Sequence, residues 1–247
     1  MKNERFASFE GKTALVTGAN RGIGRALVTS LLERGAARVY ATSRSGGIAV
    51  VGAGGAADRT VGLRLDVTDQ ASVDEASRAI LALDVVINNA GTLASYSVLS
   101  DDLEKIERDI ETNFMGTLRV ARAFAPVLAR AKPGALINVL SIVSLASKPF
   151  VGGYCASKAA AFSLTQSLRA ELAPLGITVH GVFPGSVDTD MIKSFPGEKA
   201  SPIDVARATL DGIEAGEEDI APDVMSREAI ATWLASPRML ERRFRGE

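Results

Sequence analysis

One stretch near the N-terminus restricts the fold more than any other. The run Lys12-Thr-Ala-Leu-Val-Thr17 reads as a short buried strand and leads into Gly18-Ala-Asn-Arg-Gly-Ile-Gly24. A helical pattern follows from Arg25 to Arg34 and is closed by Gly35. Glycines let a backbone turn sharply and come close to a ligand. A helix N-terminus behind them offers unpaired N–H groups and a partial positive charge. Strand, glycine turn and helix in that order imply a site for the pyrophosphate of a dinucleotide. The turn has the form Gly-x-x-x-Gly-x-Gly, which differs from the familiar Gly-x-Gly-x-x-Gly.

The rest of the chain continues the alternation. The pattern predicts strands at 12–17, 38–43, 61–65, 84–88, 135–140 and 177–183, and helices at 22–34, 70–82, 102–131, 154–173, 202–215 and 226–243. Continuous apolar runs such as Ala135-Leu-Ile-Asn-Val-Leu140 suit strands buried on both faces of a parallel sheet. The expected fold is therefore one α/β domain over 1–247: a doubly wound parallel sheet with helices on both faces and ligands beyond the strands' C-terminal ends. Residues 46–57 read as a loop with a short helical piece.

Tyr154 and Lys158 stand four residues apart at the head of a helical stretch, so both project from one face. A free tyrosine, with a pKa of about 10, is a poor base at neutral pH. A neighbouring ammonium favours the phenolate and lowers that value. The pair therefore reads as a proton-transfer device.

Composition excludes several classes. The chain has 28 Lys plus Arg against 29 Asp plus Glu, which gives no reason to expect a nucleic acid or a membrane surface as partner. One cysteine and one histidine leave no internal disulfide, no metal site and no Ser-His-Asp triad to expect. No apolar segment follows Met1-Lys2-Asn3-Glu4-Arg5, so the expected location is the cytoplasm. His180, in a predicted strand, reads as a structural histidine, and Trp233 as a core contact.

The order of motifs resembles the short-chain dehydrogenase/reductase family, whose fold is of Rossmann type. The matching pieces are Thr17 to Gly24, Asp66-Val67, Asn88-Asn89-Ala90-Gly91, Asn113, Ser141, the Tyr154/Lys158 pair, and Pro184-Gly185 with Thr189. Ser141 lies 13 residues before Tyr154, the family's spacing. The resemblance implies a nicotinamide cofactor bound by Gly18, Asn20, Arg21, Gly22, Ile23 and Gly24. It places Asp66 and Val67 around the adenine, and Asn89, Ala90 and Gly91 against the adenosine ribose. Lys158 would hold the nicotinamide ribose beside Tyr154. Pro184, Gly185, Val187 and Thr189 would hold the carboxamide. In catalysis Tyr154 would be the general acid/base, Ser141 would stabilise the growing oxyanion, and Asn113 would anchor a water chain to Lys158.

An NAD-specific site places a carboxylate at the end of the second strand, about 20 residues past the glycine turn. Ala41-Thr-Ser43-Arg44-Ser45 has none, and Arg44 and Arg21 suit a 2′-phosphate, so NADP(H) is expected. The groups expected near the nicotinamide are apolar: Leu93, Ile142, Val143, Phe150, Val151, Met191 and Phe195, with Ser144 the polar exception. They imply an apolar ketone or aldehyde. The expected activity is an NADPH-dependent carbonyl reductase or secondary-alcohol dehydrogenase. The alternative is an NADP(H)-sensing regulatory protein without turnover. The segment 186–200 is the expected substrate side. After Met191 the resemblance weakens, and the helix 226–243 is divergent. Apolar residues wrap beyond one stripe on helices 102–131 and 154–173, which implies a homodimer through both. Pro222 and the charges at 217–219 argue against a tetramer through the last strand.

Overall fold

The computed structural model describes residues 6–46 and 58–247. All but Gly46 of the predicted 46–57 loop falls outside them. Seven parallel strands form one sheet in the order β3-β2-β1-β4-β5-β6-β7. They are β1 (Thr13–Val16), β2 (Arg38–Ser43), β3 (Thr60–Arg64), β4 (Val85–Asn88), β5 (Gly134–Val139), β6 (Ile177–Val182) and β7 (Asp219–Ile220). The chain passes from β3 at one edge to β4 on the other side of β1. Order therefore reverses between β1 and β4, and a cleft opens at their C-terminal ends.

Strand residues alternate between two cores. Ala14, Val16, Val85, Ile87, Ala135 and Ile137 face α1 (Gly22–Glu33) and, later in the chain, a helix at Pro202–Ala215, which supply Leu27, Leu31, Leu210 and Ile213. Leu15, Val86 and Leu136 point the other way. There they meet Val73 of α2 (Gln70–Ala79), Phe124 and Leu128 of a helix at Gly116–Leu128, and Leu168 of a helix at Gly152–Leu172. The central strands β1, β4 and β5 are thus covered on both faces, which is why their sequences are dominated by apolar residues.

Two predicted elements differ, and a third element was not predicted. The stretch 102–131 is two helices, α3 (Leu103–Ile110) and α4 (Gly116–Leu128), joined by a π-helical turn, Glu111–Met115, that carries Asn113. Such turns gather at functional sites and leave the apolar period almost unchanged, so sequence does not reveal them. After α5 (Gly152–Leu172) and α6 (Pro202–Ala215), the predicted helix 226–243 is α7 (Val224–Ala235) and α8 (Pro237–Arg245). Pro237 cannot continue α7 and instead opens α8. The third is β7, which has two residues, too few for any periodicity; Gly181 and Val182 of β6 pair with it.

Candidate active site

Backbone geometry shapes the cofactor end of the cleft. Gly18 has φ 65°, and a Cβ there would lie 2.8 Å from the Ala90 Cα. A Cβ on Gly24 would lie 2.4 Å from both the Gly18 carbonyl oxygen and the Asn89 amide nitrogen. Only glycine fits at either place. Thr17, to which sequence assigned no role, clips the two turns together: its hydroxyl accepts hydrogen bonds from the backbone N–H groups of Asn89 (3.0 Å) and Ala90 (3.0 Å). The Asn89 side chain donates to the carbonyls of Thr17 (2.9 Å) and Gly18 (3.1 Å). These contacts bring the chain after β1 against the chain after β4. The first turn of α1 carries no acidic residue to oppose an anion.

The resulting cleft has a volume of about 720 Å³. Gly18, Asn20, Arg21, Gly22, Ile23, Gly24, Ser43, Arg44, Asp66, Val67, Asn89, Ala90 and Gly91 line it on this side. Ser141, Tyr154, Lys158, Pro184, Gly185, Val187 and Thr189 line it on the other. Among the expected catalytic and cofactor residues only Asn113 does not reach its wall; of the groups expected near the nicotinamide, Met191 lines it and Leu93, Ile142, Val143, Ser144, Phe150, Val151 and Phe195 do not. A glycine cradle, a helix N-terminus without acids and an elongated cleft fit a dinucleotide. Arg44 is exposed on the turn after β2, and no carboxylate stands at the end of that strand. Arg21 is paired across the cleft with Asp190 at 3.1 Å, which the sequence did not suggest.

At the opposite end, Ser141 follows β5 and faces the cleft beside Tyr154 of the first turn of α5; its hydroxyl donates to the Pro184 carbonyl at 3.4 Å. Lys158, one turn on, holds its Nζ 5.8 Å from the Tyr154 ring centre and donates to the Val139 carbonyl at 2.8 Å. Burial pushes the Tyr154 phenol well above its ordinary value, helped by the neighbouring Cys155 and Asp109 and opposed by Ser141. Burial also lowers Lys158 to about 8, against the pull of Asp109. Desolvation thus acts against the lowering of the tyrosine expected from Lys158. At neutral pH the phenol keeps its proton.

Asn113 is buried in the π turn. Its amide donates to the Thr92 carbonyl (2.9 Å) and the Ser157 hydroxyl (2.8 Å), and its side-chain oxygen accepts from the Thr92 N–H (2.9 Å). Ser157 in turn donates to the Tyr154 carbonyl at 2.7 Å. The side chain therefore braces the loop after β4 to the catalytic turn of α5.

The substrate side is built from apolar side chains. Ile142, Val143 and Val151 are buried in a cluster with Cys155, Ala229 and Leu240, and Leu93, Leu145, Tyr154, Phe195 and Trp233 pack against it. Phe150 departs from expectation: it sits at φ 69° and is 80% exposed, so it faces solvent and not the nicotinamide position. Tyr96, missed in sequence, stacks on Phe195 with ring centres 6.1 Å apart and planes 14° apart. The loop that carries Phe195 is closed at its base, where Asp188 donates to Ala200 (2.9 Å) and Ala200 to Ser186 (2.8 Å). Asp223, also missed, caps α7 and accepts from the Gly185 N–H at 2.9 Å, tying the C-terminal helices to the Pro184-Gly185 turn. Trp233 meets Phe162 edge-on at 6.3 Å, and His180 hydrogen-bonds the Glu217 carbonyl and the Thr178 hydroxyl. Among the described residues no helix is long and apolar enough to cross a membrane. Among them, too, no group of His, Cys, Asp and Glu is placed to hold a metal ion.

Known proteins share this arrangement. Residues 12–200 match the short chain dehydrogenase family. The 3-oxoacyl-(acyl-carrier-protein) reductase FabG of Vibrio harveyi is 32% identical over 234 residues, 93% of this chain and 92% of that protein. The protein of the same name from Escherichia coli is 36% identical over 201 residues, 79% and 82% of the two chains. A short chain dehydrogenase from Burkholderia cenocepacia, crystallised in complex with NADP, superposes with a TM-score of 0.90 at 37% identity, covering 96% of this chain and 98% of that one. With its sheet order, glycine cradle and Ser141–Tyr154–Lys158 geometry, the chain belongs to the short-chain dehydrogenase/reductase family of NAD(P)-dependent oxidoreductases.

Proposed function

We propose that the chain is an NADPH-dependent carbonyl reductase, equally a secondary-alcohol dehydrogenase in reverse, acting on apolar ketones or aldehydes. The observation that carries this reading is that Ser141, Tyr154 and Lys158 line one end of a dinucleotide-shaped cleft together, with the Lys158 Nζ 5.8 Å from the Tyr154 ring centre. The bound nicotinamide supplies the hydride. The chain's own part is to receive the charge that grows on the carbonyl oxygen. Ser141 donates a hydrogen bond to that oxygen, and Tyr154 gives it a proton. The raised tyrosine pKa suits this direction, since a general acid must be protonated when the substrate arrives. Lys158 holds the nicotinamide ribose, and Pro184, Gly185, Val187 and Thr189 hold the carboxamide end.

Preference for NADP(H) rests on Arg44, which follows Ser43 at the end of β2, and on the missing carboxylate there, with Arg21 on the wall of the same cleft. The NADP complex of the Burkholderia relative agrees with it. The apolar wall around Leu93, Leu145 and Phe195 supports a carbonyl with an apolar body, and the 3-oxoacyl substrates named for the FabG relatives are carbonyls on acyl chains. We place the whole reaction in one catalytic unit, assembled as a homodimer through α3, α4 and α5. Phe114, Leu118, Ala123 and Leu164 stay partly exposed on those helices and their π turn. Light scattering at twice the monomer mass would support the dimer, and a monomer at micromolar concentration would refute it.

A carbonyl panel that includes 3-oxoacyl thioesters, followed by NADPH absorbance with matched NADH controls, tests the activity. Tyr154→Phe keeps the ring and removes the proton, so turnover should fall by about 10²–10⁴ with NADPH binding retained. Near-full turnover in that variant would overturn the assignment. Tight NADPH binding without turnover on any carbonyl would favour an NADP(H)-sensing regulator instead.

A further inference from the structure

The sequence places Ser144 beside the nicotinamide, as the one polar group on an apolar wall. In the fold it does not reach the cleft that Ser141 lines. It is 8% exposed and closes a turn whose other members, Ile142 and Val143, belong to the apolar cluster that also holds Ala229 and Leu240. A hydroxyl buried in such company is costly unless a hydrogen bond compensates it. The bond that Ser144 makes is to Ser141: the Ser141 backbone N–H donates to the Ser144 Oγ at 3.2 Å.

That bond belongs to a reciprocal pair. Ser141, with extended backbone at φ −166° and ψ 160°, caps the single 3₁₀ turn Ile142–Ser144. Its carbonyl accepts from the Ser144 N–H at 2.9 Å, and the Ile142 N–H donates to the Pro184 carbonyl at 3.1 Å. The backbone of Ser141 is therefore held from both sides. Its hydroxyl is not. That group accepts from the Val143 N–H and donates to the Pro184 carbonyl, each at 3.4 Å. Well-formed bonds of these kinds run at about 2.5–3.2 Å, so the proton is loosely held and can turn to an incoming oxygen. Ser141 lies beyond Val139, the last residue of β5 in register with β6, so its N–H has no partner in the sheet. Ser144 supplies the acceptor where the sheet ends.

We propose that Ser144 is a positioning residue for this active site: its hydroxyl anchors the Ser141 backbone, so that the Ser141 hydroxyl faces the cleft with its proton free for the substrate's carbonyl oxygen. The proposal rests on the reading of Ser141 as the donor to that oxygen. Ser144 itself lies off the cleft wall, and its effect reaches the reaction through Ser141.

The experiment is a double-mutant cycle on Ser141 and Ser144. It reads kcat and KM for NADPH-dependent carbonyl reduction, NADPH affinity by fluorescence, and the thermal midpoint. Ser141→Ala removes a donor to the developing charge and should lower kcat by about 10²–10³. Ser144→Ala should lower kcat about tenfold, with KM and NADPH affinity nearly unchanged, because it misplaces a catalytic group and leaves the cofactor groove alone. In the Ser141→Ala background the same change should lower kcat no further, since the group it positions is already gone. A purely structural role would cost the same in both backgrounds. Equal losses in the two backgrounds, a loss carried by NADPH affinity instead of kcat, or no loss in Ser144→Ala overturns the proposal and leaves the reading of Ser141 intact. Undiminished kcat in Ser141→Ala overturns that reading and the proposal with it. If Ser144→Ala does not fold, Ser144→Cys, which keeps the side chain's shape and offers only a weak acceptor, takes its place in the cycle with the same outcomes.

Discussion

At the cofactor end of the cleft, backbone meets backbone. At the substrate end, side chain meets side chain. Gly18 and Gly24 lie against Ala90, Asn89 and each other so closely that a single Cβ would collide. Across the cleft, Phe195 stacks on Tyr96 and, with Leu93, Leu145 and Trp233, packs against a cluster formed by Ile142, Val143, Val151, Cys155, Ala229 and Leu240, where many apolar residues could fill the same space. The first kind of contact dictates residue identity and the second only volume and polarity. One end of the cleft is therefore rigid in sequence and function, and the other can be retuned for a new substrate without loss of chemistry.

The sharpest way to break this comparison is Gly24→Ala. The added methyl would sit 2.4 Å from the Gly18 carbonyl oxygen and the Asn89 amide nitrogen, both fixed by their own hydrogen bonds to the turn. Overpacking of this kind costs about 1–3 kcal/mol and falls on the groove we assign to the pyrophosphate, so NADPH affinity should drop by about 100-fold. Titration of NADPH fluorescence, with circular dichroism to check the fold, reads both quantities. Affinity within threefold of the unaltered protein would show that the close approach is not needed.

The same contrast explains what could be read in advance. The sheet, its switch point and the glycine turn were legible because apolar strands and glycines leave distinct patterns. Ser141, Tyr154 and Lys158 were legible through their spacing, and the structure brings them together. Tyr96 was not, because its partner Phe195 is 99 residues away and stacking has no local signature. Asp223 looks like any helix cap until its second oxygen is found on Gly185. Asp109 reads as one more charge on an amphipathic helix, yet it is fully buried. The rise at Tyr154 has a similar cause: a lysine four residues away is visible in sequence, whereas the burial of the phenol is not.

Arg44→Asp tests the cofactor end in a graded way. A charge-assisted hydrogen bond to a phosphate is worth about 1.5–3 kcal/mol, so NADPH affinity should fall by about 10- to 150-fold while NADH is spared. Side-by-side titrations that show the unaltered protein preferring NADH would end this assignment. A loss confined to NADPH would establish that the adenosine end sorts cofactors by charge.

Phe195→Ala addresses the other end. It removes an aromatic face from Tyr96 and part of the apolar wall near Tyr154. The loss of contact is worth about 1–2 kcal/mol, so KM for an apolar ketone should rise about tenfold. The proton-transfer groups are untouched, so kcat should change far less. An equal fall in kcat for every substrate would mean that the 188–199 loop positions the chemistry and is not simply a surface for substrate.

The smallest effect is expected where the two regions are joined. Asp223 uses one carboxylate oxygen to cap α7 through the Ser226 N–H (2.8 Å) and the other to hold the Gly185 N–H (2.9 Å) beside the nicotinamide position. A Cβ on Gly185 would lie 2.9 Å from that carboxylate, so the helix cap and the turn are in direct contact. Asp223→Asn keeps one acceptor oxygen and suits an N-cap nearly as well, so the amide can satisfy Ser226 or Gly185 but not both. One lost hydrogen bond costs about 1 kcal/mol, which should appear as a fall in thermal midpoint of a few degrees. If the amide keeps the cap and releases Gly185, NADPH affinity falls severalfold together with the midpoint. If it keeps Gly185, the midpoint falls and affinity holds. Either result locates the coupling between the C-terminal helices and the nicotinamide turn. No change in midpoint or affinity would show that the two ends of the cleft are independent, and the variable C-terminal region would then owe nothing to the groove it covers.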